Sequence, residues 1–258
     1  MTNPLPATKV LLMAGGLGTR LRPLTDATPK CLIPVGGKPL MDYWLEQFAA
    51  ANLTDILVNT HHLPQQVREH IGQVNSSGLG GHKLTIREAF EPVLLGSAGT
   101  VHANRAWAED ADTILIVYAD NLSSVDVGQF LSFHDSHADP VSIMLFKTDV
   151  PERCGIVEVD STMLVSSFVE KPPHPVSNFA NAGIYAVRAN AFREMADMNV
   201  FDLGTDVLPR YVGRMRGWEW GGYHRDIGTY ESLVQAEADI VAGCLRPDYR
   251  RVVHWSPK

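Results

Sequence analysis

Apolar runs alternate with amphipathic segments through the first half of the chain. Val10–Met13 and Thr113–Tyr118 are short and apolar, as buried strands are, and Asp55–Asn59 and Leu84–Glu88 read as further short strands. After the first run, Leu40, Trp44 and Phe48 recur at helical spacing with Met41 and Leu45 beside them, and Pro39 suits a first helical position. Pro64 opens a second helix with Val67 and Ile71 turned inward, and the glycines and serines of Gly72 to Lys83 read as a loop. The glycine cluster Leu95–Thr100 leads into a third helix through Val101 and Trp107. Strand and helix alternate about five times, which predicts an α/β fold whose mostly parallel sheet is covered on both faces.

The pattern changes after residue 140. Val141–Phe146, Gly155–Val159, Ser166–Glu170 and Ala182–Val187 read as strands with short connections, which suits antiparallel pairing on or beside the first sheet. Asp202–Val212 and Thr229–Val241 read as helices. Between them, Trp218 and Trp220 alternate as core-facing strand residues do. No repeat, low-complexity run or linker divides the chain. The reading is one domain over 1–258, with halves at about 8–140 and 141–245 and a tail, Arg246–Lys258, that forms free surface or an oligomer contact.

Composition narrows the class. The 258 residues suffice for a full core, and 45% hydrophobic with 20% charged residues is ordinary for a globular enzyme. A formal charge of −7 lacks the basic surplus of a nucleic-acid binder, whereas a polyphosphate ligand needs only a few local cations. Cys31, Cys154 and Cys244 are an odd set without paired spacing and read as reduced thiols. The N-terminus has no apolar targeting core and no stretch reaches membrane-spanning length, so the expectation is a soluble cytoplasmic protein with no membrane partner.

In parallel α/β sheets ligands bind beyond the carboxyl ends of the strands. Three polar loops follow strands here, Gly15–Arg20, Gly96–Gly99 and Asp120–Asn121, and they are expected to converge on one rim. In the first loop, Gly15, Gly16 and Gly18 allow a tight turn and close approach of a ligand. Arg20 and Lys30 follow on a segment stiffened by Pro23, Pro29 and Pro34. Bare N–H groups and fixed cations after a strand make a phosphate-binding device. It is not a P-loop, because Thr19 and Arg20 follow Gly18. It is not the dinucleotide fingerprint either, because Leu21 stands where the third glycine belongs.

The segment Leu12–Thr25, followed by Pro29 and Lys30, resembles the signature of the sugar-1-phosphate nucleotidyltransferases, or NDP-sugar pyrophosphorylases. Further segments match in the family's order: Gly36–Pro39, Tyr118–Asn121, Phe168–Pro172, Asn181–Tyr185 and Arg225–Thr229. The resemblance implies a three-layer α/β/α Rossmann-like sandwich with a mixed, mostly parallel sheet. It implies that Ala14, Gly15, Gly16, Gly18 and Thr19 wrap the nucleotide, with Gly99 and Asn121 on the same side and Arg20 and Lys30 on its phosphates. Asp120 and Asp226 would hold Mg²⁺. Lys171 would hold the sugar phosphate, with Gly155, Glu170 and Asn181 lining the sugar side. Glu91, Pro92 and Leu95–Gly99 are similar to guanylyltransferases acting on mannose or heptose 1-phosphate; thymidylyltransferases carry a glutamine-containing version there. The partners implied are therefore an NTP, GTP by preference, and a sugar 1-phosphate. Mannose-specific members often add a C-terminal left-handed β-helix, for which this chain is too short, so a compact member is implied.

Two other readings stay open at this stage: uridylyl or thymidylyl transfer to another hexose 1-phosphate, and a non-catalytic sugar-nucleotide sensor. The sensor is disfavoured because Arg20, Lys30, Asp120, Lys171 and Asp226 are all present. Oligomeric state is left open, a homo-oligomer included. His61 and His62 have no third ligand at metal spacing and read as exposed loop residues. His224 reads as structural or a mild tuner of the site, and Cys31 as a buried structural thiol.

Overall fold

In the computed structural model, which describes residues 7–245, the apolar runs become strands of one mixed sheet. The first half contains β1 (Thr8–Met13), α1 (Leu24–Ala27), β2 (Pro34–Val35), β3 (Lys38–Pro39), α2 (Leu40–Ala50), β4 (Asp55–Thr60), α3 (Pro64–Ser77), β5 (Thr85–Phe90), α4 (Gly96–Ala103) and β6 (Thr113–Tyr118). There follow β7 (Asn121–Ser123), α5 (Val127–Asp135), β8 (Val141–Lys147), β9 (Gly155–Val159), β10 (Val165–Glu170), β11 (Phe179–Arg188), α6 (Ala189–Asp197), β12 (Met215–Glu219), β13 (His224–Asp226) and α7 (Tyr230–Val241). The nine-stranded sheet runs β10–β9–β11–β6–β1–β4–β5, with β8 paired to β11 and β12 to β8. Pairing is parallel through β6–β1–β4–β5 and antiparallel where β11 meets β6, β8 and β9. The change of character expected near residue 140 is therefore present.

Helices cover both faces because β1 is apolar and buried at every position from Val10 to Met13. Val10 and Leu12 pack with Trp44 and Phe48 of α2, Val67 of α3 and Phe130 of α5. Leu11 and Met13 point the other way, to Val101 of α4 and Phe192 of α6. Each such aliphatic or aromatic side chain contributes about 1.5–3 kcal/mol by leaving water. A third cluster joins Leu21, Ile33 and Val35 to Leu40 of α2, Leu122 of β7, Ile227, and Leu233 of α7. It ties the segment after the glycine loop to β7 and to the residue after β13. Among the described residues, no helix is long and apolar enough to cross a membrane.

Several local expectations are corrected. The loop expected from Gly72 is helical to Ser77, because Val74 extends the inward stripe of Val67 and Ile71 and offsets the intrinsic cost of a helical glycine, about 0.5–1 kcal/mol. The helix expected through Trp107 stops at Ala103, where the Asn104 side chain donates to the Thr100 carbonyl at 2.8 Å; a 3₁₀ turn, Arg105–Ala108, follows. Asp202–Val212 is a π turn followed by a 3₁₀ turn, because Pro209 has no N–H to continue a ladder. Helices α5 and α6 were not anticipated. His61 and His62 are half-buried and bonded to the carbonyls of Glu91 and Thr25, at 2.8 and 2.7 Å, so they are not exposed. Cys31 is buried, and that burial pushes its thiol up to about 12, as an inert thiol requires. The tail Arg246–Lys258 lies outside the described residues.

One buried polar cluster lies away from the sheet's ligand rim. His134 of α5 and His137 both contact the Ser142 hydroxyl of β8, at 2.8 and 3.0 Å. Ser142 is fully buried, so this grouping holds α5 on the sheet and cannot meet a substrate. Burial lowers His134 to about 3 and His137 to about 4. Both stay neutral in the fold while the unfolded chain takes up protons below its ordinary histidine pKa near ~6.5. Stability should therefore fall as pH drops from ~6.5 towards ~4, by up to ~1.4 kcal/mol per pH unit for each histidine. Urea unfolding at pH 7 and pH 5 measures this: His134→Asn should shrink the difference between the two midpoints, and an unchanged difference would contradict the assignment.

Candidate active site

The carboxyl ends of β1, β4 and β6 and the start of α4 enclose a cavity of about 220 Å³. Ala14, Gly15 and Gly16 line it after β1, Asn59 lies next to the end of β4, Gly96 and Ser97 open α4, and Asp120 follows β6. The three polar loops do converge on one rim, with Gly96 rather than Gly99 at the cavity wall. Gly99 lies within α4, and Gly18 and Thr19 shape the turn behind the wall, Gly18 with a left-handed φ of 62° and its carbonyl bonded to Thr25 Oγ1.

Buried Glu91 organises this rim. Its Oε1 accepts from Asn59 Nδ2 at 3.0 Å and from Thr100 Oγ1, and its Oε2 accepts from the Leu95 N–H at 3.3 Å. Asn59 Oδ1 in turn accepts from the Ala14 N–H at 2.7 Å. Gly15 is required here, since a Cβ would stand 2.8 Å from Asn59 Nδ2. One carboxylate thus fixes the loops after β1 and β4 and the start of α4.

A second cavity of about 330 Å³ adjoins the first, and Tyr118, Asp120 and Asp202 line both. Arg20, Arg153, Gly155, Glu170, Lys171 and Asn181 face the second cavity. Gly155 leaves room for the Glu170 carboxylate, because a Cβ there would stand 2.6 Å from Glu170 Oε2. Lys171 has a left-handed φ of 47°, held by its N–H donating to the Cys154 carbonyl at 3.0 Å. A non-glycine residue kept in that conformation is strained, and such strain gathers at functional sites. Its ammonium sits 3.3 Å from Glu170, and its side chain is 65% exposed at the second cavity.

Backbone pairing brings the two aspartates together. β13 runs antiparallel to β7 with Asp226 opposite Asn121, and the Ile227 N–H donates to the Asp120 carbonyl at 2.9 Å. Trp44 Nε1 donates to the Asn121 carbonyl at 2.7 Å, and Arg225 pairs with Asp239 of α7 at 2.9 Å, so the ribbon is anchored at both edges. Asn121 itself is buried, donates to the Ala182 carbonyl at 3.1 Å and faces the second cavity, not the first. Arg20 also faces the second cavity, beside Asp226.

Lys30 stands between the carboxylates, 2.7 Å from Asp120 Oδ2 and 3.8 Å from Asp226 Oδ1. Desolvation in the cleft and then the Asp120 charge raise the Asp226 pKa, while Lys30, Arg20 and Lys171 oppose the shift. Three cations from two distant segments therefore act on one carboxylate. His224 is packed against Phe146, ring centroids 4.6 Å apart, lines the second cavity, and has its pKa lowered to about 4 by desolvation. Among the described residues, no group of three or more His, Cys, Asp or Glu side chains gathers as a metal site.

A sequence profile described as nucleotidyl transferase matches residues 9–243. The chain belongs to the nucleotidyl transferase family. It is 32% identical over 237 residues to a mannose-1-phosphate guanylyltransferase of Mycobacterium tuberculosis, covering 90% of this chain and 64% of that protein. It is 30% identical over 234 residues to a protein of Sulfolobus acidocaldarius assigned as a mannose-1-phosphate guanyltransferase, covering 90% of this chain and 62% of that one. The chain thus spans less than two thirds of the length of these relatives. A solved structure from Bacillus anthracis, assigned as a glucose-1-phosphate thymidylyltransferase in complex with a sucrose, superposes with a TM-score of 0.78 at 23% identity, covering 97% of this chain and 98% of that one. The mixed three-layer sheet is therefore the nucleotidyltransferase fold.

Sequence reasoning did not single out Asn59, Ser97, Thr100, Tyr118 or Asp202 as site residues. Ser97 Oγ donates to Asp202 Oδ2 at 3.0 Å and accepts from the Leu203 N–H at 2.8 Å, which stitches α4 to the segment after α6. The one available signal was position, since Asn59 lies near the carboxyl end of a central strand and Tyr118 ends the strand before Asp120. Asn59→Ala leaves the Ala14 N–H without its acceptor and removes a donor from buried Glu91. We expect a loss of about 1–3 kcal/mol in urea unfolding, the usual cost of orphaned buried polar groups; wild-type stability would remove Asn59 from this role.

Proposed function

We propose that this nucleotidyl transferase is a guanylyltransferase, joining GTP to a sugar 1-phosphate of the mannose or heptose type and releasing pyrophosphate. The observation that carries this reading is the placement of Lys30, Asp120 and Asp226 where a glycine-lined cavity meets a cavity bearing Lys171 and Arg20. The names of the mycobacterial and archaeal relatives support the base and the sugar. In this reading residues to about 140 form the nucleotide side and about 141–245 the sugar-phosphate side, matching the change from parallel to antiparallel pairing.

The chemistry follows from charge. A phosphate monoester has a second pKa near ~6, so its oxygen reaches neutral pH largely deprotonated and needs no general base. That oxygen forms a bond to the α-phosphorus of GTP; the bond to the bridging oxygen breaks, and pyrophosphate leaves with the electron pair. The obstacle is repulsion, about 4 kcal/mol for two unit charges at 4 Å and an effective dielectric of 20, and each substrate carries several charges. Lys171 and Arg20 neutralise the nucleophile, while Lys30 and the Ala14–Gly16 backbone receive the triphosphate. Asp120 and Asp226 are hard oxygen donors sharing one lysine, which fits Mg²⁺ completed by phosphate oxygens. Bound there, Mg²⁺ supplies positive charge to the transferring group.

Pyrophosphate release tests the reading, with GTP, ATP, UTP and dTTP each offered mannose, heptose and glucose 1-phosphates. Release should be fastest with GTP and should stop on chelation of divalent cations. Release from no pair would overturn the enzyme, and release from UTP or dTTP alone would overturn the base. In the same assay Lys171→Ala should raise the sugar-phosphate KM about 10- to 100-fold, the worth of one charge-assisted hydrogen bond, with little change for GTP. A rise in the GTP KM alone would move Lys171 off the sugar side.

A further inference from the structure

Lys30 differs from the other site cations in how little water reaches it. Its side chain is 9% exposed, while its partners Asp120 and Asp226 are 38% and 58% exposed to the cleft. Among the described residues it is the cation within 4 Å of both carboxylates. Arg20 and Lys171 bear on Asp226 from a greater distance. The carboxylates can be approached from the cleft, whereas the Lys30 side chain is nearly closed to bulk water and opens only towards the first cavity.

A divalent cation seeks the same carboxylate oxygens that Lys30 holds. If it takes them, a buried ammonium loses its counter-charge, and an uncompensated buried charge is among the costliest states in a protein. Lys30 also lines the first cavity, beside Gly15 and Gly16, so a triphosphate there offers the replacement counter-charge. The two ligands therefore solve one electrostatic problem together that the metal alone cannot solve.

We propose that Lys30 couples metal and nucleotide binding: it holds Asp120 and Asp226 against a divalent cation and yields them when a triphosphate takes its ammonium. The inference rests on the proposed metal site at these two aspartates. Coupling of this kind is reciprocal, so each ligand tightens the other by the same factor.

Mn²⁺ is the probe, with free Mn²⁺ followed by electron paramagnetic resonance in nucleotide-free protein. Wild type and Lys30→Arg should bind Mn²⁺ weakly. Lys30→Gln should bind it about tenfold or more tightly, within the 5- to 150-fold usual for coupled sites, although its turnover falls. Lys30→Met gives the same test if the glutamine variant does not fold. Unchanged or weaker Mn²⁺ binding in the folded variant would overturn the proposal. Asp226→Asn, made in the wild-type and Lys30→Gln backgrounds, separates the two levels. Loss of Mn²⁺ binding in both places the metal at the aspartates, so that a null result for Lys30→Gln then falls on the coupling alone. Retention in both removes the metal site and the coupling with it.

Discussion

Two carboxylates that face one cleft repel each other, and the centre of this molecule is the lysine that lets them stand side by side. Lys30 lies within 4 Å of Asp120 and Asp226, and Arg20 and Lys171 add positive charge from further away. A site that brings two phosphate polyanions together needs that surplus of fixed cations. It also needs acidic oxygens to hold a metal. Placing both in one cleft is stable only because each kind of charge partly neutralises the other.

The rest of the fold serves that placement. The parallel strands β1, β4 and β6 end on one rim, and Glu91 with Asn59 locks the loops that leave it. The β7–β13 ribbon carries Asp226 across the chain to Asp120, and the third apolar cluster clamps the ribbon between α2 and α7. Ser97 and Asp202 then join α4 to the segment after α6, and Tyr118, Asp120 and Asp202 line both cavities. Apolar packing fixes the scaffold, and a small number of buried polar bonds set the last ångström.

Much of this was legible in the sequence wherever the signal is local. The apolar runs gave the central strands, and the glycines after β1 pointed to the loop that lines the first cavity together with Lys30. Motif resemblance supplied Asp120 and Asp226 as a pair, though nothing in the spacing shows that they meet; that depends on a ribbon closed between distant segments. Asn121 lines the second cavity from the β7–β13 ribbon, and Arg20 lines it from the turn after the glycine loop, placements that local spacing does not show. Asp202 and Asn59 were missed because each works through hydrogen bonds to backbone and side chains from other loops. Helix ends were misjudged at Gly72 and Asn104, where a buried valine extended one helix and a side-chain amide ended the other.

In the proposed reaction, fixed cations and the two aspartates surround the reacting phosphates. A crystal of the protein soaked with GTP and Mg²⁺ tests it most directly. The expected result is the triphosphate against the Ala14–Gly16 backbone, the Lys30 ammonium on a phosphate oxygen, and Mg²⁺ touching Asp120 and Asp226. A triphosphate bound elsewhere, with a metal that contacts neither aspartate, would contradict it.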